Sequence, residues 1–269
     1  MMSKNSFQNE ILINMRVKEL LNHIDTFAPF SLSEEWDNTG LIVGSYEAEV
    51  KRAAICLDAV KEAVIEAEKN KCEVLLCHHP LIFRALKKID INSDTGTTIS
   101  EAIKRSITII AAHTNWDKAE KGVNKTLAKL LGLNDIEPLD FFGVYGVMPA
   151  KMNLKNFLEH VKISWKLSHL DFYVKNSDKI HEISSVALCG GSGAEFWREA
   201  KNFGADVYIT ADMKYHELID ATHAGLSIIS INHGEMERAS LPALSKKISE
   251  SGIETVLLNI NALESPIRI

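Results

Sequence analysis

Short, continuously apolar runs alternate with amphipathic stretches of helical period along most of this chain. The runs at 52–59, 72–77, 107–112, 184–189, 205–210, 227–232 and 253–260 read as strands. The stretches at 17–29, 60–71, 97–106, 122–133, 194–204, 218–226 and 240–252 read as helices, and so does 153–165, with Asn153 as a plausible N-cap. Strands separated by such helices build βαβ units and a largely parallel sheet. Runs that stay apolar at successive positions, such as Val74-Leu75-Leu76-Cys77, suit a sheet covered on both faces. The aromatic, glycine-punctuated segment 139–150 reads as strand pieces around turns, and GGSG (190–193) as a loop. The fold class expected is α/β.

Segment 54–77 aligns without gaps on 187–210, with identities that include Ala54/Ala187, Cys56/Cys189, Glu66/Glu199, Ala67/Ala200 and Val74/Val207. The strand–loop–helix–strand order repeats throughout. Either an internal duplication or the generic likeness of two βαβ units accounts for this. A duplication implies two related α/β lobes, divided here as 1–132 plus 228–269 and 133–227.

A chain of 269 residues with 46% apolar and 25% charged residues has the composition of a globular protein. Thirty basic against thirty-six acidic residues give a net charge of −6, without a basic cluster, which argues against nucleic acid and acidic membranes as partners. No apolar run approaches a membrane span, and the polar N-terminus lacks the apolar stretch of a secretory signal. The cysteines, Cys56, Cys72, Cys77 and Cys189, sit in apolar segments and have no paired spacing. A reduced, cytoplasmic protein is expected, with Cys77 a buried thiol.

In open α/β sheets, ligands bind beyond the carboxyl ends of the strands. Here 72–77 is followed by His78-His79-Pro80, 107–112 by His113-Thr114-Asn115-Trp116-Asp117, and 227–232 by His233-Gly234-Glu235-Met236-Glu237. Three strand ends thus each deliver imidazole, and two add carboxylate. Neighbours on a strand point to opposite faces, so His78 and His79 can share a centre only where the strand ends, as Pro80 favours. His113 and Asp117, like His233 and Glu237, are four apart and share a face over one helical turn. Imidazole with carboxylate suits Zn, Mn or Fe. Five or six candidates exceed the needs of one ion and favour two, bridged by a carboxylate. Asp117, from the middle cluster, is the expected bridge. His23, His160, His169, His181 and His223 have no supporting pattern and read as structural or exposed.

These segments, with Glu35-Trp36-Asp37-Asn38-Thr39-Gly40-Leu41, CHHPLIF (77–83), HTNWDKAEKGVN (113–124), GADVYITADMKYHELIDA (204–221) and HGEMER (233–238), resemble the GTP cyclohydrolase 1 type 2 homologue (Nif-three-like) family in its short form. The likeness runs from Glu35 nearly to the C-terminus. It implies two α/β lobes, a ring-shaped homohexamer, and a two-metal site at His78, His79, Asp117, His233 and Glu237. The activity it implies is that of a dinuclear divalent-metal-dependent hydrolase, converting GTP or a related nucleotide or heterocycle. A two-metal phosphoesterase and a non-catalytic metal-binding assembly protein are the alternatives. Ala211, Asn232 and Met236 depart from the family's pattern around His233.

Further candidates stand near these segments. Asp37 is placed to orient a water or a histidine, or to close a turn. Lys214 and His216, after the 205–210 strand, are candidate substrate contacts. His113 is the candidate acid–base group. The GGSG loop offers backbone N–H groups to an anion or simply turns the chain, and Glu235 reads as a solvated side chain.

Overall fold

The structure is a computed structural model in which residues 15–139, 142–175 and 182–263 are described. Thirteen strands and ten α-helices are assigned among them. In chain order they begin β1 (Met15–Arg16), α1 (Val17–Phe27), β2 (Gly40–Val43), β3 (Glu49–Val50), β4 (Arg52–Asp58), α2 (Lys61–Lys69), β5 (Val74–His79), α3 (Asp94–Lys104), β6 (Thr108–Ala111), α4 (Thr114–Lys118) and α5 (Val123–Leu130). Then follow β7 (Asn134–Pro138), β8 (Val144–Met152), α6 (Leu154–Trp165), β9 (Asp171–Tyr173), β10 (Ile183–Ser192), α7 (Trp197–Asn202), β11 (Val207–Ala211) and α8 (Tyr215–His223). The last are β12 (Ser227–Ile231), α9 (His233–Arg238), α10 (Leu241–Ser249) and β13 (Glu254–Leu257).

Two sheets result. The first has the order β13-β4-β5-β6-β2, with β13, β4, β5 and β6 parallel and β2 an antiparallel edge. The second has the order β7-β8-β10-β11-β12-β9, with a parallel centre of β10, β11 and β12 and antiparallel neighbours on both sides. The short β1 and β3 pair separately. The central strands are buried along their length, as continuous apolar sequence requires.

Helices cover both faces of each sheet. Ala63, Val64 and Ala67 of α2 and Ala102 of α3 pack on Cys56, Leu75 and Ile109 of the first sheet. Trp197 and Ala200 of α7 and Ala221 of α8 pack on Ala187, Tyr208 and Ile228 of the second. The remaining two faces meet in one shared core. There Ile55, Leu76 and Ile110 join Leu188, Ile209 and Ile229 through residues of α1, α5, α6, α9 and α10. This shared core holds the strand ends of both sheets around a common cleft.

The internal repeat survives in the strand register. Ala54 pairs with Leu75 and Ile55 with Leu76 in the first sheet. Their aligned counterparts pair the same way in the second, Ala187 with Tyr208 and Leu188 with Ile209. β12 belongs to the second sheet, so the chain returns to the first through α9 and α10, between Ile231 and Glu254, and not at 228. GGSG is not a free loop. Residues 190–192 continue β10, and the N–H groups of Gly190 and Gly193 are taken by Asn124 Oδ1 at 2.7 Å and Thr210 Oγ1 at 3.0 Å.

Candidate metal centre

Four imidazoles gather where the strands end. His78 and His79 close β5, His113 is the N-cap residue of α4 after β6, and His233 opens α9 after β12. In each ring Nδ1 faces an acceptor. His78 Nδ1 lies 2.9 Å from Ala112 O, His79 Nδ1 2.8 Å from Asp58, His113 Nδ1 2.8 Å from Asp37, and His233 Nδ1 2.7 Å from Asp212. A neutral ring so placed keeps its proton on Nδ1 and turns the Nε2 lone pair inward. This is the usual backing of a metal-binding histidine.

Two carboxylates complete the centre. Asp117 sits in α4 and Glu237 in α9, each about one turn in, and both are buried. His78 Nε2 is 3.5 Å from Asp117 Oδ1 and 3.6 Å from Glu237 Oε1. Glu237 Oε2 is 2.9 Å from His79 Nε2 and 3.0 Å from His233 Nε2. His78 Nε2, Asp117 Oδ1 and Glu237 Oε2 are nevertheless buried without a hydrogen-bond partner. With the imidazoles neutral, lone pairs face lone pairs across this space, an arrangement a cation satisfies.

The donor atoms fall into groups that fit an ion: His78 with Asp117 and Glu237, His79 with His233 and Glu237, and the three rings His78, His79 and His113. The carboxylate common to the first two is Glu237. The sequence reading gave that place to Asp117. Glu237 takes it because its two oxygens point to different imidazoles, whereas Asp117 Oδ1 meets His78. Gly191 completes the cradle. It has φ +67, and a Cβ there would stand 2.3 Å from Glu237 Oε1 and 3.1 Å from His233 Nε2.

Charge follows the geometry. Burial disfavours ionisation of both carboxyls. For Glu237 the neighbouring His78, His233 and His79 overcome it and hold the group well below the usual range, while burial leaves Asp117 raised. Burial also lowers His79 and His233, but the carboxylates beside them prevail and bring His79 to about 9 and His233 to about 10. Beside the centre, burial pushes Asp37 up, yet hydrogen bonds from the His113 ring and from Thr114 prevail and hold it at about 2. Cys77 is a buried thiol on Ile110 O, pushed by burial to about 12.

A cleft of about 410 Å³ opens from the centre, within the range of small-molecule sites. His79, His113, Asp117, His233 and Glu237 line it. Lys214 and His216 do not. They stand exposed at the start of α8, past the turn that carries Asp212 to His233. Glu235, read as solvated, is buried and accepts hydrogen bonds from Ser168 N at 2.8 Å and Ser168 Oγ at 2.7 Å. His23 and His160 bond to the carbonyls of Lys247 and Leu131, away from the centre, and His181 lies outside the described residues. Asp58, Asp212 and Gly191 were missed from sequence. Asp58 ends β4 and Asp212 follows β11, so the strand-end rule that picked out the histidines also reaches both.

Residues 15–265 match the family described as Duf34/NIF3 (NGG1p interacting factor 3). This chain belongs to the Duf34/NIF3 family. Among Duf34/NIF3 relatives, the GTP cyclohydrolase 1 type 2 homolog of Clostridium acetobutylicum is 32% identical, over 91% of this chain and 96% of its own. The protein of the same name from Clostridium perfringens is 34% identical, over 88% and 92%. A crystal structure of a Bacillus cereus protein related to NIF3 superposes with a TM-score of 0.87 at 24% identity, covering 94% of this chain and 99% of that one. Its likeness establishes the two-sheet α/β fold. Around His233, Asn232 caps α9 by accepting from Glu235 N at 3.0 Å, and Ala211 and Met236 are buried.

Proposed function

We propose that this Duf34/NIF3 protein is a dinuclear divalent-metal-dependent hydrolase that acts on GTP or a related nucleotide or heterocycle. The observation that carries the reading is the inward convergence of four Nε2 atoms and two buried carboxylates, three of those atoms lacking any hydrogen bond. The proposed ligands are His78, Asp117 and Glu237 for one ion and His79, His233 and Glu237 for the other. Zn, Mn and Fe all accept this donor set. Bound ions supply a water with a pKa near neutrality and polarise the atom under attack.

The chain's own groups provide the rest. Asp37 fixes the His113 ring through Nδ1, leaving Nε2 free to take a proton from the attacking water and return it to the leaving group. Asp58 and Asp212 hold His79 and His233 in the tautomer that ligates. The names of the clostridial relatives support a cyclohydrolase reaction on GTP, and a cytoplasmic homohexamer remains part of this proposed reading. No helix among the described residues is long and apolar enough to cross a membrane.

The test is turnover of GTP by chelator-treated protein reloaded with Zn, Mn or Fe. The reading predicts formate and a pterin product that vanish on chelation. Release of phosphate or nucleoside instead makes the protein a phosphoesterase.

A further inference from the structure

One buried amide joins the two halves of the centre. Asn124 stands in the first turn of α5 and is 3% exposed. Its Nδ2 donates to the carbonyl of Asp117 at 3.1 Å, and its Oδ1 accepts from Gly190 N at 2.7 Å. Asp117 lies in α4, after β6 of the first sheet, whereas Gly190 lies in β10 of the second. The carbonyl of Asp117 stands near the end of a five-residue helix, where such groups find no partner within the helix. Both partners are backbone groups of fixed polarity, so the amide has one orientation here. The position needs a donor at one end and an acceptor at the other. A carboxylate of the same size lacks the donor, and an aliphatic side chain lacks both.

The Gly190 end of this link reaches Glu237. β10 bulges beside β11, where the step from Leu188 to Ser192 covers only that from Ile209 to Ala211. A bulge bends its strand and re-aims the residues within it. Here it brings Gly191, at φ +67, against Glu237 Oε1, the oxygen turned to His78. The bulge is tied to β11 as well. Thr210 Oγ1 donates to Gly191 O at 3.1 Å and accepts from Gly193 N at 3.0 Å, and Tyr208 Oη donates to Gly193 O at 2.6 Å. Gly190 lies close on α5, since a Cβ there would stand 2.6 Å from Val123 Cγ1.

The same amide thus bears on both carboxylates of one ion position, on Asp117 through its own main chain and on Glu237 through Gly191. That position is the more enclosed of the two, because His78 is 1% exposed while the side chains of His79 and His233 are 26% and 32% exposed. We propose that Asn124 is a positioning residue of the metal centre, which sets the span between the Asp117 and Glu237 carboxylates and with it the affinity of the ion held by His78, Asp117 and Glu237. The inference rests on the two-ion part of the proposed reading and not on the substrate or the reaction.

Chelator-treated full-length protein is titrated with Mn against a competing chelator, and the loaded forms are compared by electron paramagnetic resonance. The wild type should take up a pair of ions that are magnetically coupled. Asn124→Ala removes both hydrogen bonds. Asn124→Asp keeps the acceptor for Gly190 N and loses the donor to Asp117 O, and it decides the matter should the alanine variant fail to fold. Each variant should weaken one ion by about 10–100-fold and leave the other within about threefold, and the coupled signal should give way to that of an isolated ion. A general loosening of the fold would weaken both ions together. In an Asp117→Ala background, which lacks a ligand to the enclosed ion, Asn124→Asp should not weaken the remaining ion. Unchanged affinities in the variants, equal loss of both ions, or a further loss in the Asp117→Ala background overturns the inference. Selective loss of one ion in variants of a protein that does not turn over GTP would keep it and remove the hydrolase reading. Turnover by the wild type with both ions held normally in the variants would do the reverse, and a wild type that takes up no pair of ions removes both.

Discussion

The Nε2 atoms of His79 and His233 stand 3.3 Å apart, although the residues are 154 positions apart in the chain. Each ring has its Nδ1 on a carboxylate, Asp58 or Asp212, and both Nε2 atoms approach the same oxygen of Glu237. One ring ends a strand of the first sheet and the other follows a strand of the second, so the pair forms only when the shared core brings the sheets together.

Metal uptake should expel protons. In the metal-free protein the Asp58 and Glu237 carboxylates keep His79 protonated up to about 9, and Asp212 and Glu237 keep His233 protonated up to about 10, against the effect of burial. Ligation needs the neutral rings, so apparent affinity should rise with pH until those values are passed. Calorimetry in buffers of different ionisation enthalpy measures the proton release. Affinity that does not change between about pH 6 and pH 8 contradicts this.

Asp58→Asn and Asp212→Asn should each weaken metal binding by about 10–100-fold while the fold persists. Both carboxylates are partly exposed, and each acts by orienting one ring. Competition against a chromogenic chelator gives the affinities. Lys214→Ala, at the exposed start of α8, should leave them unchanged.

Gly191→Ala should be costly in two ways. The residue has φ +67, and the new Cβ would collide with Glu237 Oε1 at 2.3 Å. The strain alone is worth about 1–3 kcal/mol, and the displaced carboxylate should cost metal as well. Thermal unfolding with and without metal separates the two losses, because only the second depends on the ion.

Glu235→Ala should lower stability by about 1–3 kcal/mol, measured by urea unfolding. It removes both acceptors of Ser168 and loosens α9 where it meets the turn after α6.

Asp37 predicts an acid limb. Burial opposes its ionisation, but bonds from His113 and Thr114 hold it at about 2 in the folded protein, below its ordinary 3.8. That stabilisation is complete above the ordinary value and disappears as pH falls through about 2. Asp37→Asn should therefore cost about 1–2 kcal/mol near neutrality, and the gap from wild type should narrow below about pH 4 and close only toward about pH 2. Parallel unfolding curves along the pH axis would show it.

Much of this was legible in the residues. Continuous apolar strands such as 74–77 and 107–112 announced a covered parallel sheet, and the histidines just after them are the ones the fold gathers into the candidate centre. Asn153 caps α6 as its side chain and position suggest, accepting from Asn156 N at 2.9 Å. Other features depend on contacts distant in sequence. The edge strands β2 and β9 are only four and three residues long and exist because a neighbouring strand offers its edge. Glu235 looked solvated because its neighbours in sequence are polar, but the chain near Ser168 covers it. Glu237 could not be told from Asp117 as the shared carboxylate, since spacing gives a face and not the direction of each oxygen.

The most direct test of the central claim is metal stoichiometry by elemental analysis of chelated and reloaded protein, wild type beside two variants. The account predicts two divalent ions per chain in the wild type, one in Asp117→Ala, retained by His79, His233 and Glu237, and neither held tightly in Glu237→Gln. No stoichiometric uptake by the wild type, or equal uptake by all three proteins, would contradict it.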